Sequence, residues 1–272
     1  MEVIIRLNEE SAARLVAQLV ARQLRQKADS VLGLATGRTM ERVYAELARL
    51  HREEGLDFSL CRTFNLDEYV GLPPSDVQSY RYYMNEKLFK LTNIDLRNTH
   101  LPHGMEPDLK AECLRYENLI RSVGGIDLQV LGIGETGHIG FNEPLSALRS
   151  RTRDKSLTPD TIAVNSTLFG DEPHRMPRRA ITMGVGTILD AREVVLLATG
   201  PKKAAIMAKA VEGPVTSMVT ASALQLHPAC KVIVDEAAAG KLKEKDYYRW
   251  IFENEPDWAP YRDTPGAKGA TR

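Results

Sequence analysis

The feature that most constrains the fold of this chain is an alternation between short apolar runs and segments of helical periodicity. Apolar runs typical of strands lie at residues 2–7, 30–37, 61–69, 126–134, 193–200 and 230–236. Helical patterns lie at about 9–27, 39–52, 79–90, 107–122 and 237–251. This order predicts an α/β fold in which a mostly parallel sheet carries helices on both faces.

Four of these strands end in sequences rich in glycine or charge, namely ATGRT, NLDEY, GETGH and ATGPKK. Ligands of parallel sheets bind at the carboxyl ends of the strands. Packing alone does not account for so many polar strand ends. The sequence therefore predicts a functional site at this edge of the sheet.

Composition excludes several classes of partner. Lysine plus arginine and aspartate plus glutamate each number 36, so no basic excess favours nucleic acid. No apolar run approaches the length of a membrane span, and the first ten residues do not resemble a signal peptide. Cys61, Cys113 and Cys230 are odd in number and far apart, which argues against disulfides and a zinc cluster. We expect buried free thiols in a soluble cytoplasmic protein.

Two strand-to-helix turns favour an anion. LATGRT (34–39) places backbone N–H groups at a helix N-terminus, and Arg38 and Thr39 add a charge and a hydroxyl. TGPKKA (199–204) is a similar turn with two lysines that could reach the same anion. Each turn alone could equally be an ordinary capped helix start. Neither matches a dinucleotide fingerprint or a P-loop, so a phosphate is indicated rather than a nucleotide.

Two carboxylates follow the third apolar run. In FNLDEYVGL (64–72), Asp67 and Glu68 are adjacent, and strand alternation would direct their side chains oppositely. One of them could face a cleft and act as a general base. The alternative is a turn carboxylate that caps the following segment.

The loop LGIGETGHIGFNEP (131–144) combines four glycines with His138 and Glu143. Histidine transfers protons near neutral pH, and a carboxylate can fix the tautomer of its ring. The alternative is an ordinary loop histidine. The glycines favour function, because they allow a backbone to approach a ligand closely.

Several motifs together resemble the glucosamine-6-phosphate deaminase (glucosamine/galactosamine-6-phosphate isomerase) family. They are FNLDEYVGL, SYRYYMNEKLF, GHIGFNEP, SRTR, MGVGTILDAREV and LQLHP, and they extend from about Leu32 to Glu236. The resemblance implies a Rossmann-like single domain at residues 1–256, with a lid at about 157–179 and a C-terminal tail at 257–272. It implies conversion of an aminosugar 6-phosphate to fructose 6-phosphate and ammonia, with no metal or cofactor.

The resemblance also assigns roles to residues. His138 would open the sugar ring, Glu143 would hold that histidine, and Asp67 would move a proton between C2 and C1. The residues expected at the substrate and its phosphate are Thr36, Gly37, Arg38, Thr39, Gly137 and Lys203.

Three positions depart from the family pattern. Thr136 stands where the family has the aspartate of the ring-opening group, so a hydroxyl replaces a charge. Thr167 replaces a phosphate-contacting arginine, and Arg38 stands where a small residue is usual. Our hypothesis is that Arg38 supplies the missing guanidinium from the other side of the site.

Ser146, Arg153 and Lys155 match the pattern of an allosteric site found in some members of the family. The arginine-rich run that contains them could also be a plain solvated segment, and allostery requires two sites and two states. We also expect a homo-oligomer, because closed symmetric assemblies are common among soluble enzymes.

Two other functions stay open at this point. A 6-phosphogluconolactonase shares the fold and a Gly-His loop, but GFNEP and NLDEY argue against it. A sugar-phosphate sensor that has lost catalysis is favoured by Thr136 alone. The sequence does not distinguish gluco from galacto substrates.

Overall fold

The computed structural model of the chain describes residues 1–169 and 176–262. Within these residues the strands are β1 (Glu2–Arg6), β2 (Val31–Leu34), β3 (Arg62–Asn65), β4 (Asp67–Tyr69), β5 (Thr99–His100), β6 (Leu128–Leu131), β7 (Arg153–Ser156), β8 (Arg179–Thr182), β9 (Glu193–Ala198) and β10 (Cys230–Asp235). The α-helices are α1 (Glu9–Gln26), α2 (Arg38–Glu54), α3 (Tyr80–Lys87), α4 (Leu109–Ser122), α5 (Pro159–Asn165), α6 (Val185–Leu189), α7 (Ala204–Glu212) and α8 (Lys245–Asn254).

The larger sheet has seven strands in the order β1-β10-β9-β6-β2-β3-β5, and every neighbouring pair is parallel. From β2 the chain moves outward through β3 to β5, then returns to β6 on the other side of β2. The order of strands therefore reverses between β2 and β6. A crevice for ligands opens at such a reversal, outside the carboxyl ends of the strands.

Helices cover this sheet on both faces, as the sequence predicts. α1 and α2 belong to crossovers in one direction and pack against each other. α4 and α7 belong to crossovers in the opposite direction, which the right-handed rule places on the other face. The central strands are apolar along nearly their whole length because both faces are buried; β9, for example, buries Val194 to Ala198.

A second, antiparallel sheet of three short strands lies beside the crevice, in the order β4-β8-β7. Asp67 and Arg153 both pair with Thr182, from opposite sides of β8. This sheet carries one of the predicted catalytic residues. The chain leaves this sheet after Ser156 and returns to it at Arg179. Of the lid predicted at about 157–179, residues 170–175 lie outside the described residues.

The predicted strand 61–69 is in fact two strands in two sheets. The backbone N–H of Leu66 donates to the carbonyl of Leu34, where β2 ends. The carbonyl of Leu66 accepts from Met183, which follows β8. Beyond Leu66 the larger sheet offers no partner strand, so the chain pairs with β8 instead. The sequence pattern did not reveal this change of partner.

The predicted helix at 237–251 is also wrong in its first half. A short 3₁₀ turn spans Ala238–Lys241, and α8 begins only at Lys245. The carboxylate of Glu212 accepts from the backbone N–H groups of Lys243 and Glu244. Because this carboxylate satisfies free N–H groups before the helix, the helix starts later than the alanine-rich sequence indicates.

The packed structure continues past residue 256, where we predicted the domain to end. A 3₁₀ turn spans Pro256–Tyr261, and Trp258 within it is 1% exposed. Its indole Nε1 donates to Oε2 of Glu2 at 2.6 Å. The described part of the predicted tail therefore packs on β1, and residues 263–272 lie outside the described residues.

Two further sequence expectations can be compared with the described part of the chain. Cys61, Cys113 and Cys230 are all free and buried, as predicted. No helix there combines the length and the apolar character needed to cross a bilayer.

Candidate active site

The loop after β6 lies at the reversal of strand order and brings three of the predicted residues together. Nδ1 of His138 lies 2.8 Å from Oγ1 of Thr136 and 3.0 Å from Oε2 of Glu143. The hydroxyl of Thr136 also donates to that carboxylate oxygen, at 3.3 Å. A nitrogen next to a carboxylate carries the ring proton, so Nε2 of the neutral ring is left with a free lone pair. The charge that Thr136 lacks is present in Glu143.

Glu143 is held by more than the histidine. Its Oε1 accepts from Thr158, at 3.2 Å, and from Thr161. Burial raises the pKa of Glu143, but the bonds to His138 and the two threonines outweigh it and lower the pKa to about 2. The carboxylate is therefore ionised at any physiological pH, and the predicted lid segment supplies part of its support.

Glycines in this loop are required by close contacts. A Cβ on Gly134 would lie 2.0 Å from Nε2 of His138, so only glycine lets the ring lie there. Gly137, which we predicted at the substrate, has φ of +87° and packs against Ile206 and Val219. A side chain at either position would displace the histidine or strain the backbone.

Asp67 lies in the same region, at the start of β4. It is buried, and no hydrogen bond from a described residue reaches its carboxylate. Burial, together with the charge of Glu68, raises the pKa of Asp67 to about 8. A Cβ on Gly140 would lie 3.4 Å from Oδ2 of Asp67, which places this carboxyl against the histidine loop. A buried acid without partners, beside a cleft, is typical of a functional group.

Glu68, the neighbouring carboxylate, is structural. Its side chain accepts from the backbone N–H groups of Tyr69, Tyr80 and Arg81, each at 2.9 Å. It therefore caps the N-terminus of α3, where N–H groups lack helical partners. Burial raises its pKa to about 7 despite these three bonds. The two side chains separate as strand alternation predicts, and Asp67 is the one that lies against the histidine loop.

The first predicted phosphate turn has the expected backbone. Gly37 has φ of +112° and precedes α2, which begins at Arg38. No side chain caps this helix, so its first N–H groups are available. Arg38 is exposed and Thr36 half-buried. The carbonyl of Gly37 accepts from the hydroxyl of Tyr83 at 2.8 Å, which fixes the turn against α3.

Lys203 lies in the second turn, after β9, which is the strand on the other side of β6. Its Nζ donates to the carbonyl of Ile133 in the histidine loop, at 2.7 Å. Burial lowers the pKa of this ammonium. The two turns flank the histidine loop because β2 and β9 flank β6.

The three residues that match an allosteric pattern differ in their surroundings. Arg153 donates to Oδ1 of Asn142 at 2.8 Å, and burial lowers the pKa of its guanidinium. Ser146 is buried and bonds through its N–H to the carbonyl of Glu143. Lys155 is exposed. The side chain of Thr167 lies outside the described residues.

Several residues at this site were not identified from the sequence. Asn142 bonds the carbonyls of Ile139 and Met183, and Thr182 accepts from the N–H of Phe141. These bonds fix the loop between His138 and Glu143. Asn142 lies inside the quoted motif GFNEP, which is the one signal that could have indicated it. Among the described residues, no group of three or more His, Cys, Asp or Glu side chains could hold a metal ion.

Comparison with known proteins places the chain in a family. Residues 7–236 match the model of the glucosamine-6-phosphate isomerases/6-phosphogluconolactonase family. The chain belongs to this family. Within the family it is 51% identical, over 251 residues, to a glucosamine-6-phosphate deaminase of Hahella chejuensis, covering 92% of this chain and 95% of that one. It is also 51% identical to glucosamine-6-phosphate deaminase 2 of Giardia intestinalis, covering 86% and 89%.

Solved structures of family members share the fold. A monomeric glucosamine-6-phosphate deaminase superposes with a TM-score of 0.87 at 41% identity, covering 89% of this chain and all of that one. A 6-phosphogluconolactonase of Trypanosoma brucei superposes with a TM-score of 0.69 at 18% identity, covering 89% and 98%. At that identity the lactonase shares the fold alone. The predicted Rossmann-like α/β architecture is thereby confirmed.

Proposed function

We propose that this family member converts glucosamine 6-phosphate to fructose 6-phosphate and ammonia. The observation that carries the proposal is the presence of two ionisable groups at the histidine loop. One is His138, with Nδ1 held by Glu143 at 3.0 Å, and the other is the buried carboxyl of Asp67, which lies against that loop and accepts no hydrogen bond from a described residue. The close relatives are named as deaminases, which supports the same reaction. We assign it as an isomerisation coupled to deamination.

The first step would open the sugar ring. Nε2 of His138 takes the proton of the C1 hydroxyl, the C1–O5 bond breaks, and the imidazolium delivers that proton to O5. The imidazolium formed in this step is stabilised by the ionised carboxylate of Glu143, as in other histidine–carboxylate pairs. Thr136 orients the pair but adds no charge, so Glu143 alone offsets the positive ring.

The second step would move a proton from C2 to C1. Asp67 removes the C2 proton, and the ammonium gives up a proton to O1 of the aldehyde, so that an enolamine forms. Asp67 then returns its proton to C1, which leaves an iminium that water converts to the ketose and ammonium. Without ligand the pKa of Asp67 is about 8, so the free acid is largely protonated at neutral pH. The ammonium of an aminosugar lowers the pKa of a carboxyl nearby. The substrate itself therefore converts Asp67 into a base, which favours aminosugars over neutral sugars.

The phosphate would bind between the two turns, at Thr36–Thr39 and Lys203. The open N-terminus of α2 and the ammonium of Lys203 support this placement. Arg38 would supply the guanidinium that Thr167 does not. Replacing Arg38 with alanine should raise KM for the phosphorylated sugar about ten-fold or more with little change in kcat, since charge-assisted bonds to an anion contribute about 1.5–3 kcal/mol. An unchanged KM would disprove the Arg38 hypothesis.

The lid, predicted at about 157–179, would end at residue 178, because β8 begins at Arg179. The domain would extend through the turn that contains Trp258. The lid segment places Leu157, Ile162 and Phe169 in an apolar cluster with Tyr69 and Phe141, beside the crevice. Such closure excludes water from a reacting sugar.

An activator site and an assembly of subunits are separate proposals. Arg153 connects to the histidine loop through Asn142, so an anion near Arg153 and Lys155 could influence that loop. Titration with N-acetylglucosamine 6-phosphate tests the site, and sedimentation tests the predicted homo-oligomer. The three buried free thiols favour a reducing, cytoplasmic location.

The test of the reaction is release of ammonia and fructose 6-phosphate from glucosamine 6-phosphate by the purified protein. Galactosamine 6-phosphate and 6-phosphogluconolactone serve as alternative substrates. Turnover of the first sugar that is lost in His138→Ala and Asp67→Asn supports the proposal. Hydrolysis of the lactone alone would replace it with the lactonase reaction. Binding of the sugar phosphate without turnover, with activity gained in Thr136→Asp, would favour a sensor.

A further inference from the structure

A single buried carboxylate connects the second turn, after β9, to the end of β10. This residue is Asp235, the last of β10, and it is 6% exposed. Both of its oxygens accept from the backbone N–H of Gly200, at 3.0 and 3.1 Å. Its Oδ1 also accepts from the N–H of Ala238, at 2.7 Å. One side chain therefore joins the second turn to the 3₁₀ turn that follows β10.

These bonds make the two predicted phosphate turns different from each other. No described side chain caps the N-terminus of α2, so the first turn offers backbone N–H groups to an anion. In the second turn the N–H of Gly200 is already bonded to Asp235. What the second turn offers instead is the ammonium of Lys203. Its contribution to anion binding therefore depends on where that ammonium is held.

Lys203 is tied to Gly200 within one turn of the chain. Its backbone N–H donates to the carbonyl of Gly200 at 3.1 Å, across the 3₁₀ turn Pro201–Lys203. The side chain of Lys203 is half-buried and bonds Ile133, whereas that of Lys202 is exposed. Because only two residues separate Gly200 from Lys203, a displacement of Gly200 displaces the lysine as well.

The 3₁₀ turn after β10 supports the same region from its other side. It begins at Ala238, whose N–H is bonded to Asp235. A Cβ on Gly240 in this turn would lie 3.9 Å from the Cβ of Ala204, the first residue of α7. Asp235 therefore holds the start of α7 in two ways, through Gly200 before the helix and through the turn packed against it.

We propose that Asp235 is a positioning residue for the phosphate of the substrate and that it acts through Lys203. This inference rests on the proposed function, because it requires the phosphate beside that ammonium. By its charge alone, a carboxylate near an anion site opposes binding of the anion. Asp235 favours binding through geometry, because its hydrogen bonds hold the turn that presents Lys203. Charge and geometry thus predict opposite effects when Asp235 is removed.

The test compares variants of residue 235 by calorimetric titration with inorganic phosphate and by KM for glucosamine 6-phosphate. Asp235→Asn removes the charge but keeps an oxygen that can replace Oδ1, the atom that accepts from both N–H groups. Its Kd for phosphate should stay within about two-fold of the parent value. Asp235→Ala removes every one of these bonds and should raise Kd and KM about five-fold, with kcat little changed.

Lysine variants show whether the effect passes through Lys203. Lys203→Met should raise Kd for phosphate about ten-fold, whereas Lys202→Met, on the exposed neighbour, should leave Kd unchanged. In the Lys203→Met background, Asp235→Ala should raise Kd by less than about two-fold, because changes that act through one partner are not additive. Thermal unfolding verifies that each variant is folded. If Asp235→Ala is not recovered folded, Asp235→Ser replaces it, with an expected rise in Kd of about three-fold.

The outcomes separate this inference from the proposed reaction. Tighter phosphate binding in both Asp235 variants would show that the carboxylate acts by its charge and would overturn the inference. A lower kcat at unchanged KM, or an effect of Asp235→Ala that persists in full without Lys203, would also overturn it. If Lys203→Met changes neither Kd nor KM, the phosphate placement fails and the inference fails with it. Phosphate binding that depends on Asp235 in a protein that releases no ammonia would refute the proposed reaction alone.

Discussion

Replacing the base Asp67 with asparagine should make the protein more stable, and increasingly so as the pH rises. The pKa of Asp67 in the folded protein is about 8, above the ordinary value of 3.8. As pH rises, Asp67 therefore loses its proton in the unfolded chain before it does so in the folded protein. The free energy of unfolding falls between pH of about 4 and about 8. The pKa rises by about 4 units, and each unit corresponds to about 1.4 kcal/mol. The free energy of unfolding that ionised Asp67 costs is therefore at most about 6 kcal/mol.

Water that reaches the ionised carboxylate reduces this destabilisation. We therefore expect Asp67→Asn to raise the free energy of unfolding by about 2–4 kcal/mol at pH 8. For a chain of this size that corresponds to roughly 4–8 °C in Tm. Thermal unfolding between pH 5 and 8.5 measures the effect, and the gap between variant and parent should narrow toward low pH. Activity should be lost in the same variant, which is the usual conflict between a buried catalytic acid and stability.

Asp127 provides the matched control for this measurement. It is also buried, but it pairs with Lys27 and Arg192 and accepts from the N–H of Val31. Burial raises the pKa of Asp127, but these partners outweigh it and lower the pKa. Asp127→Asn should therefore destabilise the protein at pH 8. The argument is refuted if Asp67→Asn destabilises the protein as this control does, or if its stability relative to the parent does not increase as pH rises. Either result would show that other groups stabilise the ionised carboxyl of Asp67.

Three further results are expected. Glu143→Gln should lower kcat/KM about 100-fold or more, because the carboxylate stabilises the imidazolium. Thr136→Val should lower kcat/KM less than about ten-fold. Equal losses of kcat/KM would show that the hydroxyl matters as much as the charge. Gly134→Ala should lower kcat about 100-fold with little effect on phosphate affinity, because the new Cβ displaces His138; normal turnover would contradict the contact. Trp258→Ala should destabilise the protein by about 3–5 kcal/mol in denaturant unfolding, as expected for a core residue, and a change under about 0.5 kcal/mol would return the domain boundary to residue 256.

Periodicity was sufficient to predict six of the seven strands of the larger sheet, because strands buried on both faces are continuous apolar runs. It missed β5, the two-residue edge strand at Thr99–His100. It could not predict the smaller sheet. β4 and β8 are only three and four residues long, and β7 (RDKS) is polar. Strands this short are determined by their partners rather than by their own sequence. The split at Leu66 and the pairing of Asp67 with Thr182 are consequences of that dependence.

The sequence predicted the residues whose side chains have the chemistry of the reaction. It missed the residues that only hold those side chains in place. His138, Glu143 and the glycines around them form a local pattern, so the sequence brought them together. The threonines at 158 and 161 bond Glu143 from 15 and 18 residues away, and only folding creates that contact. Common polar residues in a loop give no signal of such a role.

The placement of Asp67 in the small sheet has a consequence for how such proteins diversify. The chain leaves the small sheet after Ser156 and returns to it at Arg179, three residues along β8 from the Thr182 that pairs with Asp67, and the described residues between these points form no strand of the seven-stranded sheet. This connection is therefore an exchangeable part. Grafting residues 157–178 from a relative with a different sugar preference should change which sugar is enclosed, while the base, the histidine loop and the phosphate turns keep their places.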